Sequence, residues 1–219
     1  MRMHKKGHLE ERLRLCKNLT VCDLSDKNMK NAAAVKDYFD FEKIFGNNNP
    51  VRLEIGCGKG KFICELSEML PEINFIACEK VSNVIIDACE RAEREGIKNI
   101  RFLNSAAEVL ERYFKPDTVE VIYLNFSNPL PKEGYKKQRL THPKFLEIYR
   151  NILKDGGKII QKTDDKDFYL FSLESYREAG YKILETDENY TVAGGDVETE
   201  HERLFKERGK NIYRICAEV

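Results

Sequence analysis

Apolar positions along the first two thirds of the chain alternate between two periods. Short apolar blocks, VRLEI (51–55), NFIACE (74–79), IRFLN (100–104) and VEVIYLNF (119–126), read as buried strands. Between them, FICELSEML, VSNVIIDACERAERE and AAEVLERYF carry apolar residues three and four apart, the spacing of amphipathic helices. Strands alternating with helices of this length predict βαβ units and a parallel sheet. Further on, HPKFLEIYRNIL predicts a helix stopped by DGG, KIIQKT a fifth strand, and DFYLFSLESYREAG a helix closed by Gly180. YKILETDENY and NIYRICAEV predict two last strands. With no helix-sized crossover expected in VAGGDVETEHERLFKERGK between them, that pair should be antiparallel. Residues 1–45 are polar and helix-prone, an N-terminal appendage, and 46–219 form the main domain.

Composition narrows the partners more than the fold. The chain has 219 residues, 42% hydrophobic and 34% charged, enough for one substantial core. Its 37 basic and 37 acidic residues cancel, so a nucleic acid would need a local basic patch. Seven scattered cysteines without a C-x-x-C pair predict reduced thiols and offer no metal site. The opening MRMHKKGHLEERLRL is too charged for a signal peptide, and no apolar run approaches about 18 residues. A cytoplasmic protein without a membrane span is expected.

Two stretches carry candidate chemistry. LEIGCGKGKF places Gly56, Gly58 and Gly60 between a strand and a helix, where backbone N–H groups can approach a ligand closely. Lys61 stands where a dinucleotide fingerprint needs its third glycine, and an acid, Glu54, precedes the loop. Glu79, closing the second strand, is placed to accept from the ribose of a nucleoside, or alternatively to cap the next helix. This order resembles the motif of class I S-adenosylmethionine-dependent methyltransferases. The resemblance implies a Rossmann-like three-layer α/β sandwich with a mostly parallel seven-stranded sheet. It also implies S-adenosyl-L-methionine as cofactor, held by Glu54, Gly56, Gly58 and Glu79, with the Asn104–Ser105 corner at the adenine.

The second stretch is LNFSNPLPKEGYKKQRL (124–140), where proline must end the strand and stiffen the loop after it. Such a loop can present Asn128 to an acceptor without an ordering cost on binding. From YLNFSNPLPK through KTDD to TEHERLF, the chain resembles the tRNA (guanine-N7)-methyltransferase family, over about residue 45 to the end. That family usually shows L-N-F-S-D-P-W-P-K and a denser basic run. Here Asn128 and Leu130 replace the Asp and Trp, and Lys132, Lys137 and Arg139 remain.

The resemblance implies methyl transfer to N7 of the guanine at position 46 in the tRNA variable loop, by a monomer or homodimer. Asn128 would stand at the family's key aspartate, and Lys132, Asp164, Thr199, Glu200 and Glu202 would handle the substrate. Lys137 and Arg139, with Arg2, Lys5, Lys6, Arg12, Arg14 and Lys136, are the candidates for tRNA phosphates. Two other readings stay open. Asn-Pro also suits an amino-methyltransferase with a different acceptor, and the departures suit a weakened methyltransferase fold that only binds RNA.

Overall fold

The computed structural model describes residues 7–21, 35–192 and 196–219. Seven strands, β1 Val51–Ile55, β2 Asn74–Cys78, β3 Ile100–Leu103, β4 Val119–Asn125, β5 Leu153–Thr163, β6 Lys182–Asp187 and β7 Tyr213–Glu218, form one sheet in the order β3-β2-β1-β4-β5-β7-β6. β7 runs antiparallel to both β5 and β6, while the other neighbours are parallel, as the sequence predicts. The chain winds outward from β1 through β2 to β3, then returns to β4 beside β1. That reversal opens a crevice at the strands' carboxyl ends, the place where open α/β sheets bind ligands.

Helices cover both faces because the inner strands are apolar on both. On one face α1 (Leu9–Leu15), α3 (Lys61–Met69) and α4 (Ser82–Glu95) bury Ile63, Ile86 and Phe102. On the other, α5 (Leu110–Tyr113), α6 (Pro143–Ile152) and α7 (Lys166–Glu178) bury Leu53, Phe145 and Tyr176. A short α2 (Phe41–Phe45), capped by Asp40, packs its phenylalanines against the second core. Among the described residues, no helix is long and apolar enough to cross a membrane. The six described cysteines are free and buried; Cys22 lies outside the described residues.

Three features differ from the sequence reading. Residues 7–21 of the N-terminal appendage pack onto the main domain, a contact the sequence did not predict. Leu9, Cys16 and Leu19 join the core, Thr20 makes a parallel bridge to Phe102 on β3, and Val21 N donates to Phe102 O (3.0 Å). α6 ends at Ile152, before DGG (155–157) is reached, and β5 already begins at Leu153. The register jumps from Leu153 to Lys158, so residues 154–157 bulge out, with Gly156 at φ 70°. Finally, the link between the last two strands contains a helix, α8 (Glu200–Glu207).

Candidate active site

The glycine loop sits at the switch point, and its glycines serve two purposes. Gly56 and Gly58 have φ of 81° and 57°, a region costly for other residues, and a Cβ on either would meet nothing within 4 Å. Open space therefore lies in front of both. Gly60 differs: its Cβ would fall 2.6 Å from the Ala88 Cβ, so it allows α3 to approach α4. Gly56 N and Cys57 N both donate to Cys78 O (2.8 and 3.1 Å), fastening the loop to the end of β2.

Below the loop, Glu54 is only 2% exposed. Its Oε1 accepts from Asn125 Nδ2 (3.0 Å) at the end of β4, while Oε2 is buried without a partner, as is Asn125 Oδ1. Burial pushes the Glu54 carboxyl up to about 7, against the opposing pull of Asn125 and the Lys162 ammonium, with Glu79 adding to the rise. Two unpaired buried acceptors facing an open glycine loop fit a ligand that brings donors or positive charge.

Glu79 lies half-buried one residue past β2. Its Oε1 accepts from Val81 N (2.9 Å) before α4, so the capping role is real and occupies one carboxylate oxygen. Asn104 Nδ2 donates to Glu79 O (2.6 Å), and Asn104 Oδ1 accepts from Ser82 Oγ (2.7 Å). Its side chain thus holds the Glu79 corner in place.

At the end of β4 the loop is fixed by its own bonds. Asn128 Oδ1 accepts from Leu130 N (3.1 Å), an Asx-type turn that leaves the Asn128 amide exposed. Phe126 and Leu130 take φ of 48° and 46°, strained for such side chains. Arg139, expected at the tRNA backbone, is instead 6% exposed. It donates to Leu130 O (3.2 Å) and lies 4.4 Å over the Phe171 ring, clamping the proline loop to α7. Lys132 and Lys137 are exposed, while Lys136 pairs with Glu133 at 2.6 Å. Arg12 is also engaged, bonded through both Nε and Nη2 to Glu90 at 2.6 Å. Arg14 is exposed; Arg2, Lys5 and Lys6 lie outside the described residues.

The remaining predicted residues gather behind this loop. Asp164, half-buried after β5, pairs with Lys210 at 2.5 Å, and Glu200 is exposed. Thr199 and Glu202 form a capping box on α8. Glu202 N donates to Thr199 Oγ1 (3.0 Å) and Thr199 N donates to Glu202 Oε2 (2.7 Å).

Residues 48–215 match the family model described as "Putative methyltransferase". A tRNA (guanine-N(7)-)-methyltransferase of Listeria monocytogenes is 39% identical over 85% of this chain and 90% of its own. One from Staphylococcus saprophyticus is 36% identical over 99% of both chains. The chain belongs to the tRNA (guanine-N7)-methyltransferase family. Solved structures share the family's fold at low identity. The 16S rRNA methyltransferase KamB matches with a TM-score of 0.65 at 16% identity, covering 84% of this chain and 95% of that one. An Aquifex aeolicus SAM-dependent methyltransferase matches with 0.56 at 16% identity, covering 98% and 100%.

The structure also gathers beside the glycine loop residues that sequence reasoning missed. Lys162, 1% exposed at the end of β5, pairs with Asp196 (2.8 Å) and Glu202 (3.4 Å). Burial raises the Asp196 carboxyl, but the Lys162 ammonium and the Tyr190 hydroxyl outweigh it and hold the carboxyl below its ordinary value. Lys162 is the register partner of Asn125, which bonds Glu54, so a polar row crosses three strands. The spacing T-E-H-E was a capping-box signal for α8; Asn125 and Lys162 lie inside the quoted YLNFSNPLPK and KTDD stretches, but nothing there marked them for pairing across strands.

Proposed function

We infer that this protein transfers the methyl group of S-adenosyl-L-methionine to N7 of guanine in tRNA, at position 46 of the variable loop, in the cytoplasm. The observation that carries the reading is the meeting, at one switch point, of Glu54 and the open glycine loop with the locked Asn-Pro-Leu-Pro loop. When bound, the cofactor supplies an electrophilic methyl on a sulfonium. Glu54, Gly56 and Gly58 would receive its amino-acid end, and Glu79 its ribose. Family membership at this identity supports both the cofactor and the acceptor.

The acceptor explains why the site needs no strong base. Guanine N7 carries a free lone pair, so the protein's task is to hold nucleophile, methyl and sulfur in line. A carboxylate suits this by accepting from the guanine N1–H and exocyclic amine. Asn128 keeps one acceptor without the charge, and Asp164 and Glu200 stand in the same region. Of the candidate cations, Lys132, Lys137 and Arg14 are exposed and stand ready to meet phosphates.

Asn128→Asp is expected to keep or raise the yield of 7-methylguanosine, because it restores charge to the acceptor side with almost no change in volume. Nucleoside analysis of unmodified tRNA after incubation with labelled methyl donor checks this. A yield that collapses in the Asp variant would point to an amine acceptor instead. No methylated nucleoside from either protein would leave RNA binding alone.

Cofactor binding has its own test. Glu79→Ala is expected to weaken S-adenosyl-L-methionine binding by about 1.5–3 kcal/mol, the scale of hydrogen bonds to a charged group. Glu79→Gln retains an acceptor for Val81 N and so separates capping from ribose binding. Calorimetry giving wild-type affinity for both folded variants would remove Glu79 from the cofactor site.

A further inference from the structure

Three rings meet just past the end of β4, and the reaction as described uses none of them. Phe126 stacks on His201, with centroids 5.4 Å apart and planes 20° from parallel. Phe205 completes the group at 5.7 Å from Phe126 and 5.9 Å from His201. Packing the core does not account for them, since His201 is exposed and both phenylalanines are only half-buried. We propose that His201, backed by Phe126, is a stacking platform for an unpaired nucleobase of the RNA substrate beside the methyl-transfer centre.

The surroundings are built as a platform requires. Phe126 holds a positive φ of 48°, which a bulky residue adopts only under constraint, and its N–H is pinned to Lys162 O at 2.8 Å. It follows Asn125, whose amide donates to Glu54, so it stands next in the chain to the polar row at the strand ends. His201 is the second residue of α8, whose first turn is locked by the Thr199–Glu202 capping box. Glu202 in turn is tied to the buried Lys162. Lys210 adds a cation 4.6 Å over the Phe205 ring while paired with Asp164. Both sides of the stack are therefore held by buried polar groups of one network, the support that keeps a recognition surface rigid.

The chemistry favours a base over other ligands. Single-stranded RNA bases are recognised by stacking on aromatic and histidine rings, largely independent of sequence. Between Asn128 and Lys132 the proline loop offers no ring, and Phe126, two residues before Asn128, is the aromatic residue that leads into it from β4. The proposal deepens the tRNA-modification reading and rests on it for the choice of RNA.

The test compares wild type, His201→Ala and His201→Phe as full-length proteins, by fluorescence anisotropy with unmodified tRNA and by steady-state methyl transfer. Stacking is worth about a five- to hundredfold change in affinity per base. His201→Ala is expected to bind tRNA about tenfold more weakly and to raise KM for tRNA more than it lowers kcat. Its affinity for S-adenosyl-L-methionine should be unchanged. His201→Phe, which keeps a ring and loses the ionisable group, should stay within about twofold of wild type. Wild-type tRNA affinity in His201→Ala would overturn the proposal, and so would a Phe variant as weak as the Ala variant, which would indicate an imidazolium–phosphate contact. The binding arm is independent of turnover. Wild type that binds tRNA but forms no 7-methylguanosine defeats the activity reading alone, whereas wild type that does not bind tRNA defeats the platform as well.

Discussion

Glu54→Gln is expected to yield a protein more stable than wild type at pH 8 and poorer at holding its methyl donor. The folded Glu54 carboxyl titrates at about 7, raised chiefly by burial, against an ordinary value of 4.5. Between these values the native state keeps a proton that the unfolded chain has released. Stability therefore falls as pH rises from about 4.5 to 7 and levels off above. The shift corresponds to about 3 kcal/mol lost by pH 8, but under about 1 kcal/mol at pH 5. Glutamine does not titrate and can still accept from Asn125 Nδ2, so the variant escapes this loss. Urea unfolding at pH 5 and pH 8 should show the gap between the two proteins opening with pH; an equal difference at both would refute it. In the same variant, affinity for S-adenosyl-L-methionine should fall about tenfold or more, the scale of a charged hydrogen-bond partner. Wild-type affinity should rise with pH through 7, because a cationic ligand favours the ionised carboxylate.

Removing Lys162 is expected to do more damage than any other single change at the site. Lys162→Met keeps the length of the stem but leaves Glu202, 0% exposed, without its counter-ion, and its Oε1 already lacks a partner. Breaking a buried pair from one side costs about 3–5 kcal/mol. Methyl transfer should fall with it, since Glu202, which closes the capping box on Thr199 N, loses the ammonium that holds it. The double variant Lys162→Met/Glu202→Gln should recover much of the stability, because the amide can still accept from Thr199 N, the fully buried charge of Glu202 is gone, and Asp196 keeps the Tyr190 hydroxyl and Val197 N–H as donors. Denaturation midpoints for the three proteins decide it. A single variant as stable as wild type would show that water reaches these carboxylates.

The strands and helices of the main domain were legible because two-faced burial writes continuous apolar blocks, and amphipathic packing writes a period near 3.6. The antiparallel last pair followed from the same reading, although the reason given for it, the lack of a helix, was wrong. Eight residues of α8 hide in a polar stretch, and only the Thr199–Glu202 spacing betrays them. The open glycine loop was visible as an ordered motif. Asn125 and Lys162 were not, because their importance comes from β4–β5 register, which no local window contains. Arg139 misled for the opposite reason. In sequence it extends a basic run, but the chain turns there and carries the guanidinium under the loop onto Phe171.

The two margins of the sheet are finished differently, and this bears on how the protein behaves at high concentration. β3 is an outer strand only in the list of strand order, since Thr20 and Val21 lie along it and take up Phe102 O. A neighbouring molecule seeking to extend the sheet there must first peel away a segment anchored by Leu19 and by the Arg12–Glu90 pair. β6, at the other margin, has no such cover among the described residues, but it presents Lys182 and Glu185 among exposed positions, charges that discourage strand-to-strand aggregation. Trimming the chain before residue 22 would therefore uncover an apolar, unpaired strand edge, and fibrous or amorphous self-association is the failure to expect from such a truncation.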